Sequence, residues 1–176
     1  MNQLYKRAIS ILGLTLSLTG VIEAQETSTY TTPQGNSVTD TRSLQNGQYT
    51  NDKTVTTPNG QTYTNDKTVS RNGSGQVVSQ DTQTGPNGRS ATATDTRSLQ
   101  NGQYTNNKTV TGPNSKTYTN DKTTSLNSNG HPVTTDTMTG PSGKSASSTT
   151  TYGRYGSKTT VTGPNGHIRT GYRLRR

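Results

Sequence analysis

TDTRSLQNGQYTNDKTVTTPNGQTYTNDKT runs from Thr39 to Thr68, and TDTRSLQNGQYTNNKTVTGPNSKTYTNDKT runs from Thr94 to Thr123. The two stretches are near-identical and begin 55 residues apart. Self-similarity at a fixed period is the signature of a repeat architecture. Inside each copy a shorter beat is audible. Asn-Gly pairs or close variants stand at Asn46-Gly47, Asn59-Gly60, Asn72-Gly73, Asn87-Gly88, Asn101-Gly102, Asn114-Ser115, Asn129-Gly130, Ser142-Gly143 and Asn165-Gly166. Up to Gly143 they recur every 13 to 15 residues, so the smallest unit is one strand and one turn.

Two kinds of turn alternate. Bare Asn46-Gly47 suits a two-residue type I′ hairpin, because both central positions need positive φ. That geometry sets Leu44 opposite Tyr49, and by the same reading Leu99 opposite Tyr104 and Leu126 opposite Val133. Pro58-Asn59-Gly60 suits a three-residue loop, with Pro presetting φ and Gly taking the left-handed position. An odd loop pairs residues of like parity, so Val55 faces Tyr63 and Val110 faces Tyr118. Side chains alternate along a strand. Both turn types therefore place Leu44, Tyr49, Val55, Tyr63 and Val69 on a single face, which a slip of one residue would scatter. Extended over the repeats, the expected packing or assembly face adds Leu99, Tyr104, Val110, Tyr118, Leu126 and Val133. The opposite face is a lawn of Thr with periodic Asp. Around Val77 to Thr96 this parity does not resolve. The expected fold is all-β: a tandem β-hairpin array, either a single-layer meander or a thin β-solenoid, with partial disorder. Its competitor is a chain largely disordered in isolation.

That competitor arises from composition. Hydrophobic residues make up 22% of the chain, with no Cys, Trp or Phe. Ordering each residue costs about 1–2 kcal/mol of backbone entropy, which so few aliphatic side chains hardly offset. Zero Cys excludes a disulfide framework, a thiolate metal site and a thiol nucleophile.

The chain opens with MNQLYKR, a short basic segment, followed by a mostly apolar run from Ala8 to Ser17 that is too short to span a bilayer. Ile22 and Ala24 fit signal-peptidase cleavage after Ala24. We therefore expect a signal peptide over 1–24, a lead-in over 25–38, tandem hairpins over 39–143, and a degenerate repeat with a basic tail over 144–176. The expected destination is the cell surface or the extracellular space, or the periplasm. No later apolar run offers a transmembrane segment.

Charge separates the last segment from the rest. Acids nearly balance bases from Gln25 to Asp136, and no Asp or Glu follows. Beyond that point stand Lys144, Arg154, Lys158, Arg169, Arg173, Arg175 and Arg176, interleaved with Tyr152, Tyr155 and Tyr172. Basic residues among tyrosines can track a polyanion. The candidate polyanion-binding set is Lys144, Arg154, Tyr155, Lys158, Arg169, Tyr172, Arg173, Arg175 and Arg176, and the partners are an acidic polysaccharide or extracellular DNA.

Catalytic and metal chemistry finds no foothold. His131 and His167 sit in turns without a ligand partner at metal spacing. The aspartates lack the spacing of calcium loops. No nucleophile elbow or phosphate-cradling loop occurs. No enzyme activity, catalytic residue, metal or cofactor is expected. Thr-x-Thr arrays also raise ice binding as a minor alternative, although Asp52 and Asp66 interrupt the ladder.

Thr82–Gly88 (TQTGPNG), Thr109–Ser115 (TVTGPNS), Thr137–Gly143 (TMTGPSG) and Thr160–Gly166 (TVTGPNG) share one pattern. Thr54–Gly60 departs from it by carrying Thr57 in place of Gly. The pattern resembles tandem Thr/Gly-Pro-Asn-Gly repeats of exported bacterial proteins of unassigned role. That resemblance implies a surface or matrix protein and brings no catalytic residues. The near-exact repeat with its consistent face and strand edges adds self-association or other matrix components as expected partners.

Overall fold

The computed structural model describes residues 8–10 and 24–174. The expected leader therefore lies outside the described residues, apart from Ala8–Ser10 and Ala24. Among the described residues no helix is long and apolar enough to cross a membrane.

Among the described residues all regular structure is extended. The strands are β1 (Ala8–Ser10), β2 (Ala24–Thr31), β3 (Ser37–Gln45), β4 (Gln48–Thr56), β5 (Thr62–Arg71), β6 (Val77–Thr84), β7 (Ser90–Gln100), β8 (Gln103–Thr111), β9 (Thr117–Leu126), β10 (Pro132–Thr139), β11 (Ser145–Gly153), β12 (Gly156–Thr162) and β13 (Ile168–Leu174). Each strand neighbours those before and after it in sequence. The fold is an antiparallel meander, not a solenoid. It falls into two compact units, Met1–Arg71 with Val78–Thr92, and Asn72–Val77 with Ala93–Arg176.

Turn chemistry makes this meander. Asn46 and Gly47 take φ of 49° and 73°, and Asn101 and Gly102 take 50° and 73°. Both are the two-residue type I′ turns read from the sequence. In the Pro-Asn-Gly turn the Gly60 N–H donates to Thr57 O and the Thr57 N–H to Gln61 O, each at 2.9 Å. Gly60 sits at φ 80°, as the three-residue loop requires.

One turn corrects the sequence reading, and another resolves the segment that the reading left open. Asn127 and Asn72 each head a three-residue loop, not a two-residue one. The Asn127 Oδ1 accepts the N–H groups of Asn129 (3.0 Å) and His131 (2.9 Å). The Asn72 Oδ1 likewise accepts those of Ser74 (3.1 Å) and Gln76 (2.9 Å). A side-chain carbonyl that holds the loop's own N–H groups competes with the tight Asn-Gly hairpin and wins. Gly75, not Gly73, therefore takes the left-handed position, at φ 75°. This extra loop length is why parity failed around Val77. At the other turn Leu126 faces Pro132, and Val133 faces Ser125.

In the first unit the registers agree with the expected face. Leu44 is opposite Tyr49 and Val38 opposite Val55. Tyr49 is in turn opposite Val69, and Val55 opposite Tyr63. With Tyr30 opposite Val38, a row Tyr30–Val38–Val55–Tyr63 crosses four strands. Val38 lies mid-row and is 3% exposed, the one buried hydrophobic residue among the described residues. Its counterpart in the second repeat copy is Ala93, too small to fill the same gap. There Val110 faces Tyr118 and Tyr104 faces Thr124, without a buried centre.

Each unit is a single layer, so burial barely alternates along the strands. The pattern eeiieiiiie of β5 is an example. Backbone ladders and hydroxyl pairs do much of the work that a core would do. Examples are Thr27–Thr41 (3.1 Å), Ser43–Thr50 (2.8 Å), Thr111–Thr117 (3.1 Å) and Thr150–Thr159 (2.9 Å). Among the described residues no buried side-chain N or O lacks a partner.

Candidate functional site

Three surfaces have distinct chemistry: the mixed apolar and charged face, the threonine face, and one end of β11–β13.

The mixed face carries a polar latch that sequence reading missed. Asp40 accepts hydrogen bonds from Arg42 on its own strand (2.8 Å) and from Asn51 across β4. Its registered opposite is Lys53. The second repeat copy rebuilds this arrangement: Asp95 accepts from Arg97 Nε (3.1 Å) and Nη2 (2.6 Å), and from Asn106. Asn65 donates to Asp81 at 2.6 Å, and Asn120 donates to Asp136, which stands opposite Lys122. The signal was present in TNDK. With a period of two, its Asn and Lys share the face of Tyr, while its Asp turns to the threonine face.

These contacts tune the carboxyls. Partial burial pushes the Asp40 carboxyl up, but the Arg42 and Asn51 hydrogen bonds, with the charges of Arg42 and Lys53, outweigh it. The net position is below the ordinary value. For Asp95 the Arg97 hydrogen bond dominates and burial opposes it; Arg97's charge, Asn106 and Lys108 complete the lowering. Asp40 and Asp95 are 16% and 18% exposed, whereas Arg42 and Arg97 are mostly exposed.

Of the expected packing face, Leu44, Tyr49, Val55, Tyr63 and Val69 are brought together as read. In the second unit Val110 and Tyr118 pair directly, and Tyr104 shares their face. Leu99 has the parity of Asp95, whose bond to Asn106 places both on that face. Leu126 joins them, since it has the parity of Tyr118. Val133 does not. Its neighbours Ser125 and Thr151 belong to the threonine face. The three-residue loop at Asn127 shifts the register by one and turns Val133 over.

No protein-family model, curated protein or solved structure matches the chain.

The basic segment is not one patch. Lys144 lies in the turn between β10 and β11. The nine residues of β11 separate it from the next turn, about 30 Å away. Arg169 and Arg173 face Val161 and Ser157, whereas Tyr172 faces Lys158. Alternation thus sends Arg169 and Arg173 to one side of β13 and Tyr172 to the other. Lys158 rests 6.0 Å from the Tyr172 ring centroid, and Arg154 lies 5.7 Å from that of Tyr155. Arg175 and Arg176 lie outside the described residues.

What the fold does assemble is an open cup of about 1080 Å³, lined in part by His131, Tyr152, Arg154, Gly156, Ser157 and Arg173. Tyr152 faces Ser157 across β11–β12, and Ser157 faces Arg173 across β12–β13. A large ring and a guanidinium therefore flank a small hydroxyl floor. Gly156 is dictated by close approach, since a Cβ there would sit 2.1 Å from Arg173 O. His131, Tyr152 and Ser157 were not among the expected site residues. Their proximity depends on the ends of four strands meeting.

Proposed function

We propose that the chain is an exported, non-enzymatic structural and interaction protein of the cell surface or extracellular matrix, completed by further copies of itself. The observation that carries this reading is the surface left uncovered. Leu44 and Tyr63 in the first unit and Tyr118 and Leu126 in the second are 41%, 43%, 51% and 64% exposed, and among the described residues no second layer covers either unit's face. The occupant is a second copy because the same face occurs in both repeat copies and has mixed signs. Asp40, Arg42 and Lys53 alternate with Tyr and Val, so an inverted copy can set acids against bases. Cleavage after Ala24 would also remove β1, which pairs Ala8–Ser10 with Thr27–Thr29, and leave β2 as an open edge. The leader pattern and the Thr/Gly-Pro-Asn-Gly repeats support export.

Sedimentation velocity on residues 25–176 from micromolar to near-millimolar concentration tests the reading. Mass should rise with concentration, and Tyr63→Glu with Tyr118→Glu should return the chain to monomer while circular dichroism keeps its β minimum. A wild-type chain that stays monomeric throughout would refute self-association.

A further inference from the structure

We propose that the cup at the turn ends of β11–β13 is a binding site for an acidic polysaccharide, one whose sugars carry carboxylate or sulfate groups. The site adds a ligand to a chain otherwise read as a scaffold. Tyr152, Ser157 and Arg173 alternate onto the face of Asp136 and Leu126, so ligand and a second copy would compete for it.

The argument begins with shape. Tyr152, Ser157 and Arg173 stand in one row across three adjacent strands. Strands lie roughly 4.8 Å apart, so the outer two positions are roughly 10 Å apart. The centre of the row is small, since Ser157 has only a hydroxymethyl group and Gly156 beside it has none. A sugar ring can lie on this floor with the Tyr152 ring at one side and the Arg173 guanidinium at the other. Tyr152 is 46% exposed, which leaves ring surface for contact.

Charge supplies the sign. Arg154 and Arg173 both line the cup, and no Asp or Glu follows Asp136 in the chain. Among the described residues neither Arg154 nor Arg173 forms a salt bridge with an Asp or Glu. Arg154 lies over the Tyr155 ring. A guanidinium over a ring retains N–H donors for an anion, and its planar fork matches carboxylate or sulfate oxygens.

Ring count selects a glycan over nucleic acid. Single-stranded nucleic acid needs several rings along one track for successive bases. This cup offers one tyrosine ring, Tyr152, and the smaller imidazole of His131, not a track of several. Tyr155 is engaged with Arg154, and Tyr172 projects from the opposite side of β13 beside Lys158.

The test uses residues 25–176 at a concentration where the protein is monomeric. Retention is measured on immobilised polygalacturonate (carboxylate), heparin (sulfate) and poly-dT across a salt gradient. The double variant Arg154→Ala/Arg173→Ala is compared with Lys144→Ala/Lys158→Ala, which removes equal charge elsewhere. We expect the arginine pair to weaken glycan binding roughly tenfold or more and to lower the salt slope by about two, with the lysine pair changing affinity less than about twofold. Tyr152→Ala should weaken glycan binding while leaving the salt slope unchanged. Preference between the two glycans tells which anion the cup takes. Equal losses in both double variants would overturn the site, since diffuse net charge would then suffice. So would absence of retention on either glycan. Tighter, Tyr152-dependent retention on poly-dT would replace the polysaccharide with nucleic acid and refute the assignment.

Discussion

Asp52 and Asp66 stand directly opposite each other across β4 and β5. Both are exposed on the threonine face. No Lys or Arg of β3, β4 or β5 alternates onto that face, so this like-charge pair has no local counterion. The second repeat copy differs here: Asn107 stands opposite Asp121. Replacing Asp52 by Asn therefore transplants a residue that the same fold already accepts. Cβ atoms of facing residues lie about 5 Å apart, and two unit charges at 5–6 Å in water repel by about 0.7 kcal/mol. A screening length of about 8 Å at physiological salt cuts this to about 0.4 kcal/mol. We expect Asp52→Asn to raise the melting temperature of the mature chain by about 1–3 °C at low salt. The gain should shrink toward zero in 1 M salt. Asn107→Asp should produce a similar loss. The assay is thermal unfolding followed by circular dichroism in low and high salt. A gain of equal size at both salt concentrations, or a loss at low salt, would refute the electrostatic reasoning and the register beneath it.

Three further outcomes follow from other parts of the fold. Val38→Ala installs the residue found at Ala93 and should cost about 1.5–2.5 kcal/mol by urea titration, because it empties the one buried site. Ser115 holds φ at 58° where the first copy has Gly60; Ser115→Gly should stabilise by about 1 kcal/mol in the same titration, by relieving a left-handed conformation. The folded-state lowering of Asp40 and Asp95 stabilises the chain above the unfolded carboxylate range, near pH 4, and is lost as pH falls through the lower folded values. Acid titration of Asp40→Asn/Asp95→Asn should accordingly show a flatter loss of β signal below pH 4 than wild type.

Much of the fold was legible because each strand is specified locally. Asn46-Gly47 and Pro58-Asn59-Gly60 each dictate a loop length, loop length dictates pairing, and pairing dictates face. The row Leu44–Tyr49–Val69 follows from those steps alone. Where a side chain intervened in the turn, the same logic failed. Asn127 and Asn72 hold their loops with Oδ1, which adds a residue and turns Val133 away from the face that its hydrophobicity suggested. The aspartate latches were also hidden. The Asn of TNDK meets its carboxylate 11 residues away in Asp40–Asn51, and 16 residues away in Asn65–Asp81. Only the diagonal between strands, and not the spacing in sequence, brings them together.

By itself the sequence determined strand, turn and repeat, because the period-two alternation and the φ demands of Asn-Gly and Pro-Asn-Gly are local properties of the chain. Composition also determined that the layer would be thin, since so few apolar side chains cannot make two faces and a core. Tertiary structure alone decided how the basic segment is divided. Lys144, Lys158, Arg169 and Arg173 are neighbours in a list of charges, yet a hairpin's length separates the first from the last, and alternation sets Lys158 and Arg173 on opposite sides. The cup that joins His131 to Tyr152, Arg154 and Arg173 exists because antiparallel strands return their ends to one place. That juxtaposition is a property of register, and no residue carries it singly.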